Sequence, residues 1–166
     1  IVDQYAESYP LYKEWDGFGG RPWHFGVLYS FASDTHLHGN VRKLEQQVKA
    51  VAADPRAAGC VGYYPNEEAV GHNHFYAGFV ARLGWNPAET GLDGFVNEYA
   101  AARYGADQAP LLAPALIDLA ATVYGAGKSA KPMYWKRPSA EPDLRQGVNG
   151  PEYLTRLRRA VEQYLR

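Results

Sequence analysis

Two adjacent carboxylates, Glu67 and Glu68, close the run Gly59-Cys60-Val61-Gly62-Tyr63-Tyr64-Pro65-Asn66, and Asn73 follows five places after Glu68. A short apolar segment ended by Pro-Asn and then by acids reads as a buried strand running out into a polar loop. In a parallel barrel or an open parallel sheet, the loops after the strands carry the chemistry, so acids at that position are candidates for catalysis. A solvated surface loop is the plainer alternative, because acids are mostly exposed. Neighbouring side chains on an extended segment point opposite ways, so only one of the two glutamates faces a pocket fully.

Aromatic side chains narrow the chemistry. Trp23, Tyr29, Tyr63, Tyr64 and Phe75 flank this strand end and that of an earlier apolar run. Sugar rings stack their C–H faces on such side chains, although core packing explains most aromatics equally well. Carboxylates among aromatics at strand ends suggest glycoside hydrolysis, in which two acids flank the bond to be cleaved. Other chemistries are poorly supported. Ser30 lies in Tyr29-Ser30-Phe31 without a Gly-X-Ser-X-Gly elbow. Gly17-Phe18-Gly19-Gly20 precedes a strand, the wrong order for a phosphate cradle, and no cofactor is implied. His36-X-His38 and His72-X-His74 could suit zinc with Asp34 or Glu68, but without Cys or His-Glu-X-X-His spacing they read as loop histidines, and no metal is expected.

The elements that must position these residues follow from periodicity. Residues 1–7 form a short strand that runs into a polar loop with Glu7 and Ser8, and Gly17 to Pro22 is turn chemistry. Trp23-His24-Phe25-Gly26-Val27-Leu28-Tyr29 is a second strand, followed by a polar loop with Ser30, Ser33, Asp34 and Thr35. Val41, Leu44, Val48 and Val51 set a helical period, capped by Asn40 and ended by Asp54-Pro55. Strand, helix, strand makes a βαβ unit with parallel strands. A helix over 74–83 ends at Gly84 through a glycine cap. Beyond Trp85 only helices remain, over 94–104, 110–124 and 151–165, which places the best domain boundary there.

The composition bounds the partners. Lys and Arg number 17 against 18 for Asp and Glu, and no basic cluster is interleaved with aromatics, so nucleic acid is not an expected partner. Cys60 is the single cysteine and allows no intrachain disulfide. No apolar run is long enough to span a bilayer. Ile1-Val2 reads as the middle of a strand, so a fragment of a longer polypeptide is expected.

The order of short motifs resembles a known family. Ala6-Glu7-Ser8-X-Pro10, Phe18-X-Gly20-X-Pro22, Phe31, Leu37 and Gly39, Val61-Gly62, Glu68 with Asn73, and Leu83-Gly84-Trp85 together look like glycoside hydrolase family 89, the α-N-acetylglucosaminidases. Ala101-Ala102-Arg103-Tyr104-Gly105, Val123-Tyr124 and Arg137-Pro138-Ser139 are similar to its helical region. The resemblance implies an α/β fold: the last strand–helix units of a (β/α)8 TIM barrel over 1–85, then an all-α domain over 86–166, itself incomplete. It implies a retaining glycosidase with two glutamates, a carbohydrate substrate and a secreted or extracytoplasmic location. Its nucleophile lies in Pro-Glu-Gly-X-X-X-Asn, which assigns that role to Glu68, with Glu67 the second candidate. Glu7, Trp23, Tyr29, Ser30, Asp34, Tyr63 and Asn73 make up the expected sugar-binding set. The acid/base glutamate belongs to an earlier barrel strand, so the remaining amino-terminal part of the same enzyme is the expected partner and this chain alone is expected to be inactive.

Two departures matter. Glu67 and Ala69 stand where the family has Pro and Gly around the nucleophile, and Tyr29-Ser30-Phe31-Ala32-Ser33-Asp34 replaces its His-Asn-Phe-Gly-Gly-Asn loop. They imply an altered sugar pocket, or a non-catalytic carbohydrate-binding or structural remnant of the same fold.

Overall fold

A computed structural model describes residues 2–4, 10–30, 40–67, 74–122 and 151–165. These fall into two compact units, Ile1–His36 with Lys43–Gly91, and Leu37–Arg42 with Leu92–Arg166.

The first unit is built on a three-stranded parallel sheet in the order β1 (Val2–Gln4), β2 (Trp23–Ser30), β3 (Cys60–Glu67). Between β1 and β2 lie two short helical turns that the sequence pattern did not reveal, α1 (Leu11–Glu14) and α2 (Asp16–Gly19). α2 is a left-handed turn: φ is positive at Asp16, Gly17, Phe18, Gly19 and Gly20. Phe18 accepts this disfavoured conformation while its ring meets the edge of Trp23 at 5.7 Å. Tyr12 of α1 stacks on the same indole at 5.1 Å.

The crossover from β2 to β3 contains α3 (Val41–Ala53), whose Val41, Leu44, Val48 and Val51 are all buried, as the period predicts. Asn40 has φ +46°, unlike the extended backbone of an ordinary N-cap. Asp54 ends α3 and caps the 3₁₀ turn Pro55–Ala57 by accepting from the Arg56 amide at 3.0 Å. α4 (His74–Trp85) follows β3 and buries Phe75, Phe79, Val80 and Leu83. It runs through Gly84 instead of ending there. A Cβ on Gly84 would stand 3.2 Å from Tyr63 Cβ, so the glycine serves close helix–strand approach and not a cap.

Within the second unit, α5 (Leu92–Tyr104), α6 (Ala109–Ala121) and α7 (Pro151–Tyr164) are helices, with α6 packed on both α5 and α7. Gly105, at φ +94°, follows α5 directly. Asp118 of α6 is buried and paired with Arg159 of α7.

Candidate active site

The carboxyl ends of β2 and β3 lie side by side, with Ser30 and Glu67 as Cα partners. Neighbouring strands are about 4.8 Å apart, so the backbone delivers these two positions to one edge of the sheet. Two irregularities interrupt the ladder. Tyr29 is an extra residue between the pairs Leu28–Asn66 and Ser30–Glu67, and Val61 is an extra residue between Trp23–Cys60 and His24–Gly62. Each such bulge re-aims the side chains beyond it, and bulges concentrate next to active sites.

The Val61 bulge determines the faces of the sheet. Simple alternation would place Cys60 with Gly62 and Tyr64, opposite Tyr63. Instead Cys60 and Tyr63 lie together with Phe25, whose ring is 5.7 Å from that of Tyr63. This face also carries Trp23 and receives α1, α2 and α4 through Tyr12, Phe18 and Gly84. The opposite face carries Gly62, His24 and Tyr64. The His24 ring lies 3.4 Å from where a Gly62 Cβ would be, and meets the Tyr64 ring edge-on at 6.0 Å.

Burial governs the electrostatics of the helix-facing side. It pushes the Tyr63 phenol up to about 12, helped by the adjacent Cys60, and it raises the Cys60 thiol. Burial, followed by the nearby Asp54 carboxylate, also raises Tyr12. Arg56 donates to both Asp54 oxygens and holds that carboxyl below its usual range. These groups stay neutral or paired near pH 7, which suits packing.

The expected site residues separate accordingly. Ser30, Tyr29 and Glu67 occupy the carboxyl-terminal residues of β2 and β3. Glu7, Asp34, Glu68 and Asn73 lie outside the described residues. Trp23 needs correction: it starts β2, at the opposite end from the strand mouths, and is fully buried between Tyr12 and Phe18. Tyr63 is likewise packed towards α4, so its ring fills the layer between strand and helix. Sequence alone does not single out His24, because nothing in it shows that a bulge at Val61 turns Tyr64 to the His24 face. Of the histidine pairs, only His74 is described, and among the described residues no three His, Cys, Asp or Glu side chains cluster as metal ligands do.

A parallel sheet with Glu67 at the carboxyl end of one strand suits chemistry at the strand ends, and comparison with known proteins specifies the family. The family model described as the alpha-N-acetylglucosaminidase (NAGLU) TIM-barrel domain matches residues 1–87, more than half of the 166-residue chain. The chain therefore belongs to the alpha-N-acetylglucosaminidase family, a family of glycoside hydrolases. It is similar to human alpha-N-acetylglucosaminidase, with 28% identity over 106 residues that cover 63% of this chain and 14% of the human protein. The chain thus spans about one seventh of the length of that relative. Among the described residues, no helix is long and apolar enough to cross a membrane.

Proposed function

We propose that this chain is the carboxyl-terminal part of a retaining α-glycosidase that removes a terminal sugar, with residues 1–85 completing the catalytic barrel and 86–166 belonging to an all-α domain. The observation that carries the reading is the pairing of Ser30 with Glu67 at the carboxyl ends of parallel strands, within the stretch that matches the family's barrel domain. Glu68, the next residue, is the nucleophile that attacks the anomeric carbon. Its partner, a general acid that protonates the leaving oxygen and then acts as base towards water, comes from an earlier part of the polypeptide. In retaining enzymes the two carboxyls stand roughly 5–5.5 Å apart, close enough for covalent attack. Glu67 binds a sugar hydroxyl or adjusts the proton affinity of its neighbour. Tyr29, Ser30, Asp34, Asn73 and Glu7 complete the sugar site, and the changed loop after β2 gives it a pocket different from that of the family. The isolated chain lacks the acid/base residue and does not turn over substrate.

The test is Glu68→Gln against Glu67→Gln in the full-length enzyme. Glu68→Gln is expected to lower kcat by at least about 10³-fold, the scale of losing a covalent step. Loss of turnover in Glu67→Gln alone would reverse the two assignments.

A second reading, a non-catalytic sugar-binding or structural remnant, is favoured by Glu67 and Ala69 in place of the family's Pro and Gly, since a shared fold does not carry activity with it. Absence of any carboxylate opposite Glu68 in the complete polypeptide would support this reading.

A further inference from the structure

In a (β/α)8 barrel the helices lie outside and the opposite strand face lines the interior. By that rule the face bearing His24, Gly62 and Tyr64 is interior, because α4 and the turns α1 and α2 cover the other one. β3 is the strand that leads into Glu67 and Glu68, and Tyr64 is three residues before Glu67. At about 3.3 Å per residue, its Cα lies roughly 10 Å below that of Glu67 along the strand.

Of the described side chains on this face, Tyr64 is the nearest to the carboxyl ends. Its Cα partner on β2 is Gly26, which carries no side chain. Glycine within a strand often marks a place where a ligand or another chain segment comes close. Beneath it, the His24 ring covers Gly62 and meets Tyr64 edge-on, which occupies the space towards the amino end of the strands.

We propose that Tyr64, held from below by His24, is a specificity-determining residue whose phenol binds a hydroxyl of the terminal sugar at the floor of the pocket. This rests on the glycosidase reading and adds the residue that senses the deep end of the sugar. A phenol can donate to and accept from a sugar hydroxyl, and a site built around such a pair discriminates against sugars that lack the hydroxyl. His24 acts as a positioning residue by keeping the Tyr64 ring from folding down the strand.

The experiment uses the full-length enzyme, with nitrophenyl α-N-acetylglucosaminide, nitrophenyl α-glucoside and the monodeoxy analogues of whichever is turned over. Tyr64→Phe is expected to lower kcat/KM about 10-fold on the parent sugar, the scale of one hydrogen bond, and to cause no further loss on the one analogue that lacks the partner hydroxyl. His24→Gln is expected to lower the same preference partially, with an unchanged melting temperature. The proposal is overturned if Tyr64→Phe matches the wild type on every sugar, or lowers all of them equally. Glu68→Gln separates the two levels of inference. If it abolishes turnover while Tyr64→Phe changes nothing, only the role of Tyr64 falls; if no α-glycoside is turned over, both readings fall.

Discussion

Tyr63 is held neutral far into the alkaline range because burial disfavours its phenolate, with Cys60 beside it adding to the effect. The sign of the consequence comes from linkage. The folded-state value, about 12, lies above the unfolded value of 10, so this residue's contribution is intact below pH 10 and is lost as pH rises from 10 towards about 12. Because the ring is only half-buried, solvent screening reduces the effect to on the order of 1 kcal/mol. Tyr63→Phe, which has nothing to ionise, should gain on the wild type by that amount over this range, measured as the difference in urea unfolding free energy at pH 9.5 and pH 12. An unchanged difference would show that the phenol is solvated in the folded state. Cys60 obeys the same logic: a raised thiol is a poor nucleophile, so slow alkylation near neutral pH is expected of the folded protein.

The short elements around the amino ends of β2 and β3 owe their shape to glycine more than to propensity. Gly17 and Gly19 have nearly the same positive φ, +61° and +62°, but different surroundings. A Cβ on Gly17 would stand 2.3 Å from the Arg56 carbonyl oxygen, whereas one on Gly19 would meet nothing within 4 Å. Gly19→Ala should therefore cost only the left-handed penalty, about 1 kcal/mol, because that backbone is simply uncomfortable for an L side chain. Gly17→Ala pays the same penalty and must also displace the 3₁₀ turn, so about 3 kcal/mol is expected. Denaturant midpoints of the two variants decide the matter; equal losses would mean that α2 does not seat against the turn at Arg56. A similar close approach at Gly84 explains why α4 continues past a residue whose type suggests a helix end. Local sequence cannot distinguish a glycine that ends a helix from one that lets it touch a strand.

At the scale of the whole molecule, the long-period patterns were legible and the short-range geometry was not. The apolar stripe Val41, Leu44, Val48, Val51 predicts α3 because each residue is buried by the fold the stripe itself requires, and the parallel sense of β2 and β3 follows from the intervening helix. Tyr63 and Tyr64 could not be assigned to faces, since an inserted Val61 inverts the alternation without any mark in the sequence. The α6–α7 contact was equally hidden, because Asp118 lies in an otherwise apolar stretch and finds its partners about 40 residues further on. Both Nε and Nη2 of Arg159 donate to the Asp118 carboxylate, and Arg156 Nη1 stands 3.9 Å away. The carboxylate is buried while both arginines keep substantial contact with water. Removing one partner of a buried pair strands the other charge, and the penalty is set mainly by the buried member. Asp118→Asn leaves the half-solvated arginines little to lose but removes the anchor of α7, so a cost of about 2 kcal/mol is expected, less than for a fully buried pair. That corresponds to roughly 30-fold faster hydrogen exchange in α7. Asp118→Leu combined with Arg159→Met should restore most of the protection, since two apolar groups of similar volume need no compensation for desolvation. If α7 exchanges at the same rate in Asp118→Asn and the wild type, its attachment rests on other contacts, such as the buried Ala160 and the meeting of Tyr164 with Tyr104, and the buried carboxylate is incidental to it.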